Sequence, residues 1–167
     1  LKEETEITDP EILDCVRYHH ASLLKRAVGL KENSLAYIVY LADNIAAFSD
    51  RRKKEESEDR GFERALPLQS VFNILNGNQQ EKYYRPGNMD PENGINDPGD
   101  EKIPFSESFY TKVKAQITEN LKAMEWNSEY LNSLLAVLEA NLSYVPSSTS
   151  REELADISLF DHVKLTA

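Results

Sequence analysis

The segment from Ser34 to Asp50 restricts what this chain can fold into more than any other stretch. It reads Ser-Leu-Ala-Tyr-Ile-Val-Tyr-Leu-Ala-Asp-Asn-Ile-Ala-Ala-Phe-Ser-Asp, apolar on nearly every side when wound as a helix, with Ser34 placed to cap its start. Such a helix is expected at the centre of a core, because no face of it suits water. One residue breaks the pattern. Asp43 shares a face with Val39, Ala46 and Ala47, so the helix offers it no solvated direction. A carboxylate there must be paired, hydrogen-bonded or bound to a cation.

Helical spacing covers most of the remaining chain. Asp9-Pro10-Glu11 is a helix start, and Ile12, Cys15, Val16, Tyr18 and His19 continue it until Gly29 ends or loosens the next stretch. The mixed-sign run from Arg51 to Arg60 predicts a solvated loop or helix end. Pro67, Leu68, Val71, Phe72, Ile74 and Leu75 predict a short helix or strand. Four of the six glycines and four of the seven prolines fall between 76 and 104, which predicts a long irregular insertion with a short hairpin around Tyr83-Tyr84. Ser106 is placed to cap a helix through Phe109, Val113, Ile117 and Leu121. Asn127 or Ser128 is placed to cap the next, through Leu131, Leu134, Leu135, Leu138 and Leu142. Pro146-Ser-Ser-Thr reads as a turn, Ser150-Arg-Glu-Glu153 as a capping box opening a short helix, and 156–167 as the approach to a last one. No repeat is present. The fold class is all-α.

With 167 residues the chain is long enough for one domain with a core. A net charge of −10 argues against coating nucleic acid by charge alone. Cys15 is the single cysteine, so no internal disulfide exists, which fits a reducing, cytoplasmic setting. No apolar run approaches the ~18 residues of a membrane-spanning helix, and no leader pattern is visible. The opening Leu1-Lys2-Glu3-Glu4, without an initiator methionine, and the uncapped helical close at Ala167 lead to the expectation of a fragment of a longer protein.

Chemistry-bearing residues are few. The three histidines are His19, His20 and His162, and the first two follow an apolar helix face. A histidine from one helix and Asp43 from the next suit a divalent transition metal. Taken alone that signal is weak, and the spacing fits better a histidine satisfied at a helix end and an aspartate that caps or pairs with an arginine. Arg51, Arg52, Lys53 and Lys54 form the one basic cluster after Asp43; they suit a phosphate backbone or a solvated helix end. Tyr83, Tyr84, Phe105, Phe109, Tyr110 and Trp126 read mostly as core or loop anchors.

Several runs, in order, resemble one family. They are Arg17-Tyr-His-His20, Leu35-Ala-Tyr-Ile-Val-Tyr-Leu-Ala-Asp43-Asn-Ile-Ala-Ala, Asp50-Arg-Arg52, Leu68-Gln-Ser-Val-Phe-Asn73, Ser143-Tyr-Val-Pro-Ser-Ser-Thr149 and Ala155-Asp-Ile-Ser-Leu-Phe-Asp-His162-Val-Lys-Leu-Thr-Ala167. Together they are similar to the N-terminal HD domain of the large subunit of type III-A (Csm) CRISPR effector complexes, over nearly the whole chain apart from 76–104. The resemblance implies an HD-superfamily helical domain with permuted motif order. Residues 1–160 would be part of it, and 161–167 would start the helix leading to downstream domains.

It also implies a metal-dependent nuclease on single-stranded DNA, using manganese, nickel or cobalt. The partners would be other Csm subunits, CRISPR RNA and target RNA, with no membrane. ATP would serve only downstream domains that make cyclic oligoadenylates. The metal positions carried over are His19, His20 and Asp43, with Asp43 and His19 catalytic; Arg51, Arg52 and Lys53 would meet nucleic acid. His162 lies in the Asp-His-x-Lys motif and either reaches the metal or packs at the domain junction. The family's His-Asp dipeptide, followed by Ile-Gly-Lys, is absent here, since Asp161-His162 is the reverse order. That departure implies an incomplete ligand set and a fragment inactive alone. It also leaves open a degraded domain that serves as an assembly module. An HD phosphohydrolase acting on small nucleotides is the third reading, which the Pro-Ser-Ser-Thr and Asp-His-x-Lys motifs disfavour.

Overall fold

The computed structural model describes residues 7–51, 54, 61–77, 79–89, 92, 96–125, 127 and 129–167. Six α-helices and one 3₁₀ helix lie among them: α1 Pro10–Tyr18, α2 Ala21–Leu24, α3 Leu35–Asp50, the 3₁₀ helix Val71–Asn76, α4 Glu107–Ala123, α5 Tyr130–Leu142 and α6 Leu159–Thr166. Extended backbone pairs only as isolated bridges among the described residues. The fold is all-α, as its sequence pattern predicts. No described helix is long and apolar enough to cross a membrane.

Local chemistry starts most of these helices. The Asp9 carboxylate accepts from the backbone N–H of Glu11 at 2.8 Å and of Ile12 at 3.3 Å, and Pro10 occupies the position whose N–H would be orphaned. Ser34, Ser70, Ser106 and Ser158 cap α3, the 3₁₀ helix, α4 and α6 in the same way. Gly77 ends the 3₁₀ helix at φ +69°, a left-handed conformation that favours glycine. Two starts differ from expectation. Of the two expected caps, Asn127 does not cap α5, since its side chain accepts from Glu129 N and α5 begins after Glu129 without a side-chain cap, and Ser128 lies outside the described residues. Ser150–Glu153 is a turn rather than a helix, because Glu153 accepts from the Ser148 hydroxyl and faces Arg51 instead of reaching back to Ser150.

The helices pack in a chain of neighbours: α1 on α3, α3 on α6, α6 on α5 and α5 on α4. Val113 of α4, Leu142 of α5 and Phe160 of α6 form the buried cluster, with Phe109, Ile117, Leu135, Leu138 and Leu159 around it. Thus the densest core sits among α4, α5 and α6, and α3 lies to one side of it. That corrects the expectation that α3 is enclosed. Ala36 and Ala46 are fully buried, while Ile38, Leu41, Ile45 and Phe48 are exposed. An apolar surface records a helix's need for neighbours, and among the described helices α1 and α6 are the ones that pack closely on α3.

The described residues between 79 and 104 are irregular, yet they are tied down. Tyr83 bridges Gln69 on one side and Gly99 on the other, so it is the middle of a three-segment ladder and not the tip of a hairpin. Buried Asn73 holds this stretch from both directions. Its amide donates to the Lys82 carbonyl at 3.1 Å, and its oxygen accepts from Lys82 N at 3.0 Å. Asn73→Ala removes both bonds; the Lys82 carbonyl keeps its bond from Ser70 N at 2.9 Å, but Lys82 N is left without this partner, so the change is expected to destabilise the fold by about 1–3 kcal/mol. A denaturant midpoint comparison at unchanged slope checks this.

Tyr83 itself is buried, and its hydroxyl donates to the Glu81 carboxylate. Burial, then the Glu81 contact, pushes the phenol up to about 12 from an ordinary 10. A group whose folded pKa is raised holds its stabilisation below the unfolded value and loses it as pH climbs through the folded one. Stability is therefore expected to fall between pH 10 and about 12, by up to ~1.4 kcal/mol per pH unit. Urea midpoints at pH 9, 10.5 and 11.5, with Tyr83→Phe showing a shallower decline, test the assignment.

Candidate functional site

On a helix turning about 100° per residue, Asp43 lies about 180° from the middle of the exposed stripe of α3. It therefore shares the covered side with Ala36 and Ala46, between α1 and α6. Its carboxylate meets His162 of α6, with Oδ1 and Nε2 at 3.2 Å and side-chain exposures of 22% and 15%. An ionised carboxylate only accepts, so Nε2 carries the shared hydrogen.

His162 owes its place to the segments before it. Ser158 Oγ accepts from Asp161 N at 3.0 Å, and donates to the Asp161 carboxylate at 2.6 Å, which fixes the first turn of α6. The same region is strapped to 145–147: Leu159 N donates to Val145 O at 2.6 Å and Ser147 N to Ile157 O at 2.9 Å. Phe160 is anchored in the core cluster. Two residues further, about 200° around the helix, His162 faces the other way and reaches α3.

His19 and His20 sit where α1 stops. His19 is the C-cap of α1, and its Nδ1 donates to the Val16 carbonyl at 2.6 Å, leaving Nε2 with the lone pair. His20 is extended at the start of α2, and the two rings stand 3.9 Å apart. The structure thus pairs Asp43 with His162, and His19 with His20. Among the described residues no group of three His, Cys, Asp or Glu side chains converges as a metal cage. A protein-bound divalent transition metal commonly takes four or more donors. Asp43 and His162 alone do not fit one, and a metal here needs donors from beyond the described residues.

Arg51 is exposed and faces Glu153, Nε to Oε1 at 3.8 Å, while Lys54 N donates to the Glu152 carbonyl at 3.0 Å. Arg52 and Lys53 lie outside the described residues, as does Trp126. Asn44, beside Asp43, turns back onto its own helix and donates to Tyr40 O at 2.6 Å. The pairing of Asp43 with His162, 119 residues apart, was not foreseen from the sequence. A signal for it existed. Ser158-x-x-Asp161 has the spacing of a helix start, which commits Asp161 to capping and turns the next residue onto a helix face.

No protein-family model matches the chain. It is 39% identical over 166 residues to the CRISPR system single-strand-specific deoxyribonuclease Cas10/Csm1 (subtype III-A) of Mycobacterium tuberculosis, covering 96% of this chain and 20% of that protein. The protein of the same name from Streptococcus thermophilus is 35% identical over 168 residues, covering 97% and 22%. Among solved structures, Csm1 of T. onnurineus superposes with a TM-score of 0.65 at 28% identity, over 99% of this chain and 22% of that one. A Csm1–Csm4 cassette in complex with cA4 gives 0.61 at 26% identity, with the same coverage. The chain therefore spans about a fifth of the length of these relatives.

Proposed function

The chain is homologous, over nearly its whole length, to part of Cas10/Csm1, the large subunit of type III-A CRISPR effector complexes, and from that kinship we propose that it is a segment of a single-strand-specific deoxyribonuclease of the same kind. The observation that carries this reading is the 39% identity across 96% of the chain to a protein with that activity in its name. On this reading residues 1–160 contribute part of an HD-type domain, and 161–167 lead towards the following one. Asp43 is its central acidic position, supported by its place on the covered side of α3. His162 orients that carboxylate through the 3.2 Å contact. His19 and His20 are histidine donors, and Arg51, Arg52 and Lys53 contact the DNA backbone.

The metal is a divalent ion, with manganese, nickel and cobalt the expected choices. Because the described residues make no cage on their own, this stretch supplies part of a ligand set that other donors complete. The partners are Csm4 and the other Csm subunits, with CRISPR RNA and target RNA reached through the complex. Cyclic oligoadenylate synthesis from ATP belongs to other parts of the polypeptide, in the cytoplasm. The relatives solved as Csm1–Csm4 cassettes with cA4 and cA3 support this assembly.

One observation favours a second reading, in which the domain is catalytically degraded and serves assembly: no three donor side chains converge among the described residues. The deciding experiment is manganese-dependent cleavage of end-labelled single-stranded DNA by the full-length polypeptide, beside its Asp43→Asn variant. Cutting lost only in the variant supports the nuclease and the place of Asp43. Equal cutting by both removes Asp43 from the site. No cutting with manganese, nickel or cobalt favours the assembly module.

A further inference from the structure

Charge is spread unevenly along this acidic chain. The stretch from Cys15 to Lys31 carries four basic side chains, Arg17, Lys25, Arg26 and Lys31, and no acidic one, in a chain of net charge −10. Arg17, Lys25 and Arg26 are exposed, and no carboxylate among the described residues is paired with them. The basic run at 51–54 is more encumbered, since Glu55 and Glu56 follow it in sequence and Arg51 faces Glu153. Cations beside carboxylates are largely neutralised, whereas cations without them leave a local positive potential.

The fold sets this charge beside the histidine pair. α2 follows His20 directly and packs back on α1. Leu24 N donates to His20 O at 2.9 Å, Lys25 N to Ala21 O at 3.0 Å and Arg26 N to Leu23 O at 3.0 Å, so residues 20–26 are wound. At a helical rise that winding advances about 9 Å, the length of roughly three stacked nucleotides. Ring faces belong to the same corner. Arg17 Cζ lies 5.9 Å from the centre of the Tyr18 ring, and the exposed His20 ring stands 3.9 Å from that of His19. Charge interleaved with rings is how proteins hold single-stranded nucleic acid, with phosphates on the cations and unpaired bases on the rings. An acidic protein surface would use the cations and leave the rings idle. We propose that Lys25 and Arg26, with Arg17, hold the sugar–phosphate backbone of a single DNA strand across α2 and lead it to His19 and His20. For its ligand this inference rests on the proposed nuclease, and it adds a second hold to the one at 51–53.

The test is the affinity of the full-length polypeptide for a fluorescent oligothymidylate, read by anisotropy over a salt series, with EDTA present so that nothing is cut. Lys25→Ala with Arg26→Ala is expected to weaken binding at least ~10-fold at low salt and to flatten the log–log salt slope by about 1.4, two contacts at about 0.7 each. Lys25→Arg with Arg26→Lys, which keeps both charges, should bind like wild type. Lys112→Ala with Lys122→Ala removes the same charge from exposed positions of α4 and should stay within about twofold. Unchanged affinity and slope in the α2 variant would overturn the proposal. So would an equal loss from the α4 variant, which makes the effect one of overall charge, or a loss at unchanged slope, which makes it one of folding. A defect confined to the binding of other Csm subunits identifies an acidic protein as the partner and also overturns it. Binding that depends on Lys25 and Arg26 in a polypeptide that cuts no DNA with manganese, nickel or cobalt sinks the nuclease reading and leaves this surface standing.

Discussion

Phe160→Ala is expected to destabilise the fold by about 3–5 kcal/mol, the usual cost of emptying a buried aromatic site. Phe160 is 7% exposed and joins Val113 of α4 to Leu142 of α5 in a cluster of buried apolar side chains. The ring also does a second job. α6 is one short helix, Leu159–Thr166, whose other neighbour is α3. Phe160 seats α6 on α4 and α5, beside the backbone bonds of Leu159 N to Val145 O and Ser147 N to Ile157 O, and so helps to fix the helix that carries His162 to α3. Loss of the ring should therefore loosen the Asp43–His162 contact as well as the core. Leu165→Ala, an exposed change on the same helix, is expected to cost under about 0.5 kcal/mol. Urea unfolding of both variants checks the contrast; similar midpoints would mean that α6 is not anchored by Phe160.

What could be read from the sequence divides along a physical line. Caps act over three or four residues, so Asp9, Ser34 and Ser106 announced their helices, and the class followed. Ser150–Glu153 has the same local signature and forms no helix, because Glu153 finds better partners in Ser148 and Arg51. Burial of α3 depends on neighbours that a pattern of apolar residues does not supply. The inward placing of Asp43 was legible from its own helix, since it lies among small apolar residues. Its partner was not, since nothing local connects residue 43 to residue 162. The irregular segments around Lys82–Tyr83 and Gly99 are held through Asn73 and Tyr83, by hydrogen bonds to backbone made across space.

Asp43→Asn is expected to lower manganese-dependent single-strand cleavage by the full-length polypeptide at least ~100-fold while leaving the fold nearly intact. The amide has the carboxylate's shape and still accepts from His162, so the 3.2 Å contact survives and the stability cost stays within about 1 kcal/mol. What disappears is the negative charge, which a metal ligand or an electrostatic partner needs and a structural hydrogen bond does not. His162→Ala should act differently. It keeps the charge and removes the group that orients it, for which about a 10–100-fold loss is usual. It also leaves the half-buried Asp43 carboxylate short of one donor, at about 1–3 kcal/mol of stability. His162→Gln places an amide N–H near the lost Nε2–H and should recover part of the activity. The order wild type, His162→Gln, His162→Ala, Asp43→Asn in cleavage rate, with a different order in stability, separates a chemical role for Asp43 from a packing one. If cleavage instead follows stability across the four proteins, Asp43 and His162 merely hold α3 to α6, and the chemistry lies elsewhere.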